Sequence, residues 1–288
     1  MEVCLRIAVQ KAGRLHEGTV QLFKECGIEL QNTGGGKLLR SEAANFPAEF
    51  LFLRDDDIPG YVEDGVADAG VVGLNVVREG GARVRVAQEL GFGRCRLALA
   101  VPRESVARSL SDLAGKKIAT SYPRCLSAYL EAAGVGAEIH RISGSVEIAP
   151  SIGLADAICD LVSSGSTLVA NHLREMETVL QSEAVLIARP GLASGKAEIL
   201  ERLIFRIQAV RRAARKKYVL LNIPNARLSE VLALLPACKS PTVLPLALEG
   251  WSSVHSVVDE DRFWGIVENL RNAGAEGILA LPIEKIVG

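Results

Sequence analysis

The strongest constraint on the fold is a repeating order: a short apolar run, a polar or glycine-bearing turn, then a helical stretch. The runs Leu5–Val9, Phe50–Leu53 and Ala69–Val72 are almost continuously apolar rather than alternating. Such runs read as strands buried on both faces. Val20, Leu22, Phe23 and Cys26 have helical spacing and stop at Gly27, and Asp57–Asp64 reads as a short helix capped by Asp57, with Pro59 early in it. A second series follows, with strands at Arg96–Val101, Lys117–Thr120, Glu138–Ile142 and Ala155–Val162. In it a helix is expected from about Leu126 to Ala133, and another from the turn after Val162 to about Leu180. Ala184–Ala188 is a strand able to return to the first series, and Lys196–Ala214 a long helix with a basic C-terminal end that suits its dipole. This alternation predicts an α/β architecture with mostly parallel sheets. A chain that is 49% apolar but only 5% aromatic fits it, because the core must then be aliphatic.

The last quarter reads differently. Strands at Tyr218–Ile223, Thr242–Leu246, Trp251–Val257 and Gly277–Leu281 interleave with helices at Arg227–Leu235 and Glu260–Ala273. The order βαββαβ is the ferredoxin-like pattern common in small-molecule sensing modules. The basic helix ending at Lys217 is the best boundary before it.

Charge and composition exclude several classes. Lys plus Arg is 33 against 34 for Asp plus Glu, a net charge of −1, which argues against a nucleic-acid or membrane-surface protein. No run reaches a membrane-spanning length, and Met1–Gln10 turns polar too early for a signal peptide. Cys4, Cys26, Cys95, Cys125, Cys159 and Cys238 show no zinc or CxxC spacing and read mainly as buried free thiols, consistent with a cytoplasmic protein. His16, His140, His172 and His255 are scattered, with no pair at metal spacing.

Three turns carry candidate chemistry. After the strand ending at Val162 come Ser163, Ser164, Gly165, Ser166, Thr167 and Leu168. Backbone N–H groups of such a turn, at the positive end of a helix, cradle phosphate, and Asp160 just before it can accept hydrogen bonds from a ribose diol. A plain strand–turn–helix with a Ser/Thr cap is the alternative. The turn Ser143-Gly144-Ser145 leads to Glu147, either a first-turn acid of a helix capped by Ser145 or a ligand for magnesium on pyrophosphate. The turn Gln10–Leu15 holds Lys11, Gly13 and Arg14 at the carboxyl end of a strand, where α/β sheets bind ligands, and suits a triphosphate or simply solvent. Arg54-Asp55-Asp56-Asp57 reads as an acid-rich helix start rather than a metal site.

These segments, taken in order, resemble the long form of ATP phosphoribosyltransferase, the first enzyme of histidine biosynthesis. The resemblance rests on LRIAVQKAGRL (5–15), LRDDDIPGYVEDGVADAGVVG (53–73), GFGRCRLALAVP (91–102), KIATSYP (117–123), SGSVEIAP (143–150), LADAICDLVSSGSTL (154–168), KSPTVLPL (239–246) and EGILALPIEK (276–285). It implies a two-lobed catalytic unit of periplasmic-binding-protein-like topology: residues 1–92 with 183–214 on the nucleotide side, and 93–182 on the phosphoribosyl pyrophosphate side. Residues 215–288 would form an ACT-type regulatory domain. It further implies that Asp160 to Leu168 bind the ribose and 5-phosphate, with Glu147 beside them, and that Lys11 and Arg14 lie near ATP. Histidine, the effector, would be held by Asn222, Ser240, Thr242 and Gly277. Some relatives carry aspartate at the position of Asn222, so a charge partner for the effector's ammonium is missing here. The implied assembly is a homo-oligomer, dimer to hexamer. The implied reaction is attack by N1 of adenine on C1 of the ribose with loss of magnesium pyrophosphate. Its transition state resembles an oxocarbenium ion, so alignment and charge placement do the work and no covalent nucleophile is expected.

Overall fold

The computed structural model describes residues 3–32, 39–235 and 240–288. Cys238 and Lys239 of the segments above lie outside the described residues. The chain groups into two compact units, Met1–Ile204 and Phe205–Gly288. This boundary falls inside a continuous helix rather than at its end, where the sequence placed it.

The first unit holds two sheets. Strands β1 (Leu5–Gln10), β2 (Arg40–Glu42), β3 (Ala48–Leu53), β4 (Ala69–Gly73) and β5 (Arg85–Glu89) alternate with helices α1 (Arg14–Glu25), α2 (Ile58–Glu63) and α3 (Leu74–Gly80). The chain then crosses to a second lobe, with β6 (Cys95–Pro102), β7 (Lys117–Thr120), α4 (Pro123–Ala132), β8 (Glu138–Arg141), β9 (Ala157–Val162), α5 (Ser166–Ala170) and β10 (Leu173–Ser182). It returns as β11 (Ala184–Ala188), which inserts between β4 and β5 in the order β2-β3-β1-β4-β11-β5. Helix α6 (Ser194–Ala213) follows. The second sheet has the order β10-β6-β9-β7-β8.

Neither sheet is mostly parallel. β1 runs parallel to β3 and β4, and β7 runs parallel to β8 and β9. However, β11 is antiparallel to both neighbours, and β6 to both of its own. The reason is the double crossing: strands that carry the chain between lobes enter each sheet against its direction.

A second expectation fails at residues 171–182. The helix after the Ser163–Thr167 turn is only α5; the chain then reverses at Asn171–His172, with His172 at φ 55°, and continues as the edge strand β10. The segment Leu173–Ser182 pairs along the whole of β6 with two irregularities, and this long-range ladder overrides its helix-favouring composition. Asp57 also differs. Asp55–Asp57 form a 3₁₀ turn before α2, and Asp57 has helical backbone angles and makes no capping bond.

The second sheet has two unlike faces. Leu97, Leu99 and Val101 pack with Ile118, Leu126, Leu130, Ala157 and Cys159 on the α4 side. Ala98, Ala100 and Ala119 pack with Val146, Ala149, Ile158, Val162 and Leu168 on the other. The small side chains let the turns carrying Glu147 and Leu168 approach the sheet closely.

The second unit is β12 (Lys216–Pro224), α7 (Leu228–Leu234), β13 (Thr242–Pro245), β14 (Trp251–Asp259), α8 (Phe263–Asn272) and β15 (Glu276–Pro282). Its antiparallel sheet has the order β13-β14-β12-β15, and Val219, Leu221, Ile223, Val254 and Val258 on one face pack against Val231 and Leu270 of the helices. The βαββαβ order is the one expected. Cys26 and Cys159 are buried, Cys95 and Cys125 half-buried and Cys4 exposed, so the expected burial of the thiols holds for only part of the set.

Candidate active site

The parallel strands β7, β8 and β9 end at one edge of the second sheet, and each releases a turn there. The carboxyl ends of parallel strands are where such sheets place ligands. β7 releases Ser121 and Tyr122, β8 releases Ser143–Glu147, and β9 releases Ser163–Leu168. Thr120 ties two of these strands together: it is fully buried, its hydroxyl donates to Cys159 O at 2.6 Å, and it accepts the Tyr122 N–H at 2.9 Å.

In the β9 turn, Gly165 stands at φ 83°, a conformation that side chains disfavour, and this aims α5 away from the strand. Ser164 Oγ lies 3.0 Å from Ser166 Oγ and accepts the Ser166 N–H at 3.4 Å. The Thr167 and Leu168 N–H groups belong to the first turn of α5, whose donors have no helical partner.

Asp160 lies on β9, directly before this turn. Its Oδ1 accepts the Leu161 N–H at 2.8 Å. Burial pushes its carboxyl above the usual range against that bond, and the charge of Glu147 pushes it further. Glu147 stands in the 3₁₀ turn Val146–Ile148. Ser145, before it, has φ 49° and makes no side-chain cap, which corrects the capping alternative. The negative charge of Glu147 is thus felt at Asp160, and a nearby cation or hydroxyl donors would relieve it. Among the described residues no group of three or more His, Cys, Asp or Glu side chains forms a metal cage, so a cation here would need substrate oxygens as well.

Tyr122, not singled out in the sequence, belongs to this site. Burial pushes its phenol up to about 12, and Asp160, Asp56 and Asp55 add to the shift while a hydrogen bond from Asn75 opposes it. The charges of Asp55 and Asp56, from the first lobe, are thus felt at Tyr122 in the second. Asn75 Nδ2 donates to Tyr122 Oη at 3.2 Å, and Asn75 and Ser182 bond reciprocally at 3.0 and 2.9 Å. Glu79 of α3 accepts the Arg124 and Cys125 N–H groups, both at 3.0 Å, capping α4 from the opposite lobe.

Lys11, Gly13 and Arg14 are exposed at the carboxyl end of β1, with Gly13 at φ 90° as the residue before α1. Among the described residues neither Lys11 nor Arg14 forms an ion pair.

In the second unit, Asn222 and Gly277 are brought together: a Cβ at Gly277 would lie 3.4 Å from Asn222 Nδ2. Thr242 is exposed on β13, opposite His255 of β14, so β14 separates it from Asn222. Ser240 Oγ donates to Pro241 O at 3.2 Å. His255 is held by Tyr218 Oη at 2.6 Å and Ser253 Oγ at 3.1 Å. Within the described residues no helix is long and apolar enough to cross a membrane.

Many known proteins are similar to this chain in sequence or fold. A family model described as ATP phosphoribosyltransferase matches residues 54–209, and one for the HisG C-terminal domain matches 213–285. An ATP phosphoribosyltransferase from Cytophaga hutchinsonii is 57% identical over 287 residues, 100% of either chain. One from Bacteroides fragilis is 54% identical over 283 residues, 98% of this chain and 99% of its own. A solved HisG:HisZ ATP phosphoribosyl transferase complex from Thermotoga maritima is similar with a TM-score of 0.59 and 28% identity, over 71% of this chain and 98% of that one. A periplasmic sulfonate-binding protein from Methylobacillus flagellatus shares the fold alone, at a TM-score of 0.50 and 17% identity, over 74% of this chain and 69% of its own. With a catalytic-unit match over more than half its length, a matched C-terminal domain and full-length relatives at this identity, the chain belongs to the ATP phosphoribosyltransferase family, a group of pentosyltransferases.

Proposed function

We propose that the protein joins N1 of ATP to C1 of phosphoribosyl pyrophosphate with release of pyrophosphate, the committing step of histidine biosynthesis, and that free histidine inhibits it through the C-terminal domain. The observation that best supports the first part is the convergence of Asp160, Glu147 and the Ser163–Leu168 turn at one sheet edge. In this reading the turn binds the 5-phosphate and Asp160 accepts the ribose hydroxyls, while Lys11, Gly13 and Arg14 serve the triphosphate from the other lobe. Glu147 would hold magnesium, which offsets negative charge on the pyrophosphate when bound. Holding C1 and N1 in line replaces a bimolecular encounter and supplies a large share of the acceleration. Pyrophosphate release from ATP plus phosphoribosyl pyrophosphate, with and without magnesium, tests the reading. No release with magnesium present would overturn it.

For the effector, the adjacency of Asn222 and Gly277 and the open position of Thr242 support a small polar ligand on this sheet. Inhibition at a distance requires that histidine prefer one global state over another. Histidine should inhibit without competing with phosphoribosyl pyrophosphate. Thr242→Val, which removes a hydroxyl, should raise the inhibitory concentration by about tenfold, from roughly 1–1.5 kcal/mol lost, with little change in uninhibited rate. Inhibition at an unchanged concentration would remove Thr242 from the pocket. We read the working form as a cytoplasmic homo-oligomer, dimer to hexamer.

A further inference from the structure

The turn after β9 has a support on the neighbouring strand. β6 runs antiparallel to β9, with Arg96 opposite Val162, Ala98 opposite Asp160 and Ala100 opposite Ile158, so Arg96 shares a sheet face with Asp160. The guanidinium is held in place by Glu175 of β10 through two parallel bonds, Nε to Oε1 at 2.6 Å and Nη2 to Oε2 at 2.5 Å. Its remaining nitrogen, Nη1, donates to Ser163 O at 3.3 Å. Ser163 is the first residue beyond the strand.

That one bond has a directional consequence. A trans peptide is planar, so the carbonyl of Ser163 and the N–H of Ser164 point opposite ways. Drawing Ser163 O toward Arg96 turns the Ser164 N–H away from Arg96. The charge of Arg96 is largely balanced by Glu175, whose carboxyl the hydrogen bonds from Arg96 hold below its usual value. Arg96 therefore aims the turn rather than attracting anions from a distance. Lysine could keep the charge but not two bonds to Glu175 together with a third to Ser163. The pair is also about a third exposed on each side, and such pairs add little to stability.

We propose that Arg96 and Glu175 are a positioning pair that presets the Ser163–Leu168 turn for a sugar 5-phosphate. The proposal rests on the reading of that turn given above. In the full-length protein, Arg96→Lys should raise the KM for phosphoribosyl pyrophosphate about tenfold and weaken ribose 5-phosphate binding by a similar factor. The KM for ATP should stay within about twofold, and the melting temperature within roughly 3 °C. Glu175→Gln should act in the same direction with about a threefold effect, and it carries the test alone if Arg96→Lys does not fold. Equal weakening of both substrates, or of neither, overturns the pair's role. Asp160→Asn separates the levels. If Asp160→Asn impairs phosphoribosyl pyrophosphate use and Arg96→Lys does not, the positioning pair is wrong and the site stands. If neither variant does, the turn is not the sugar-phosphate site and the proposal falls with it.

Discussion

Asp160→Asn is expected to lower kcat/KM for phosphoribosyl pyrophosphate about a hundredfold while leaving the fold intact. The asparagine keeps the shape and the acceptor for the Leu161 N–H, seen here at 2.8 Å, but not the charge. Charge-assisted bonds contribute roughly 1.5–3 kcal/mol each, and a diol offers two. The pH dependence distinguishes this from a general defect. Burial and Glu147 raise the Asp160 carboxyl, so the folded chain takes up this proton more readily than the unfolded one. The contribution to stability is then most favourable in acid and is lost as pH rises through the folded value. On the proposed role of Asp160, sugar-phosphate binding uses the ionised form and should strengthen through the same interval. The asparagine variant should lose that limb of the pH profile and, at neutral pH, melt no lower than the parent. A variant that melts lower and keeps its pH profile would point to a structural role instead.

The largest stability effect is expected at Asp68. It is only 5% exposed; it accepts the Arg6 N–H at 2.9 Å and both oxygens meet Lys196 Nζ, at 2.9 and 2.8 Å. It thus fastens the start of β1 to α6. Asp68→Ala leaves an amide and an ammonium without their acceptor. Breaking a buried pair costs about 3–5 kcal/mol, and the lower end applies because the Lys196 side chain is 28% exposed and can turn to water. Calorimetry should show a melting point lower by roughly 5–10 °C, with both substrate KM values nearly unchanged. A drop below about 2 °C would mean that Lys196 is solvated at no cost.

The strands that end in site turns were legible because their signal is local: an apolar run, then Ser, Gly and an acid. Asp160, Glu147 and the turn after Val162 follow from that pattern. Residues 173–182 were not legible. Leu, Arg, Glu and Met favour helix, and nothing like glycine or proline marks the reversal, which His172 accomplishes at φ 55°. Strand direction was equally hidden, since an apolar run reads the same in either sense. Arg96 escaped notice for a different reason. Its partners Ser163 and Glu175 lie 67 and 79 positions away, and only the ladder of β6 brings them together.

The insertion of β11 between β4 and β5 also bears on how the chain can be made. Among the described residues β5 pairs with β11 alone, which is translated roughly a hundred residues later. At roughly 5–20 residues per second, the first lobe emerges from the ribosome and waits on the order of 5–20 s with the edge of β4 uncovered. The second lobe, continuous between its two crossings, can close during that interval. The nascent chain thus completes its middle before its beginning, and the exposed edge of β4 is where a chaperone or a second nascent copy would find it.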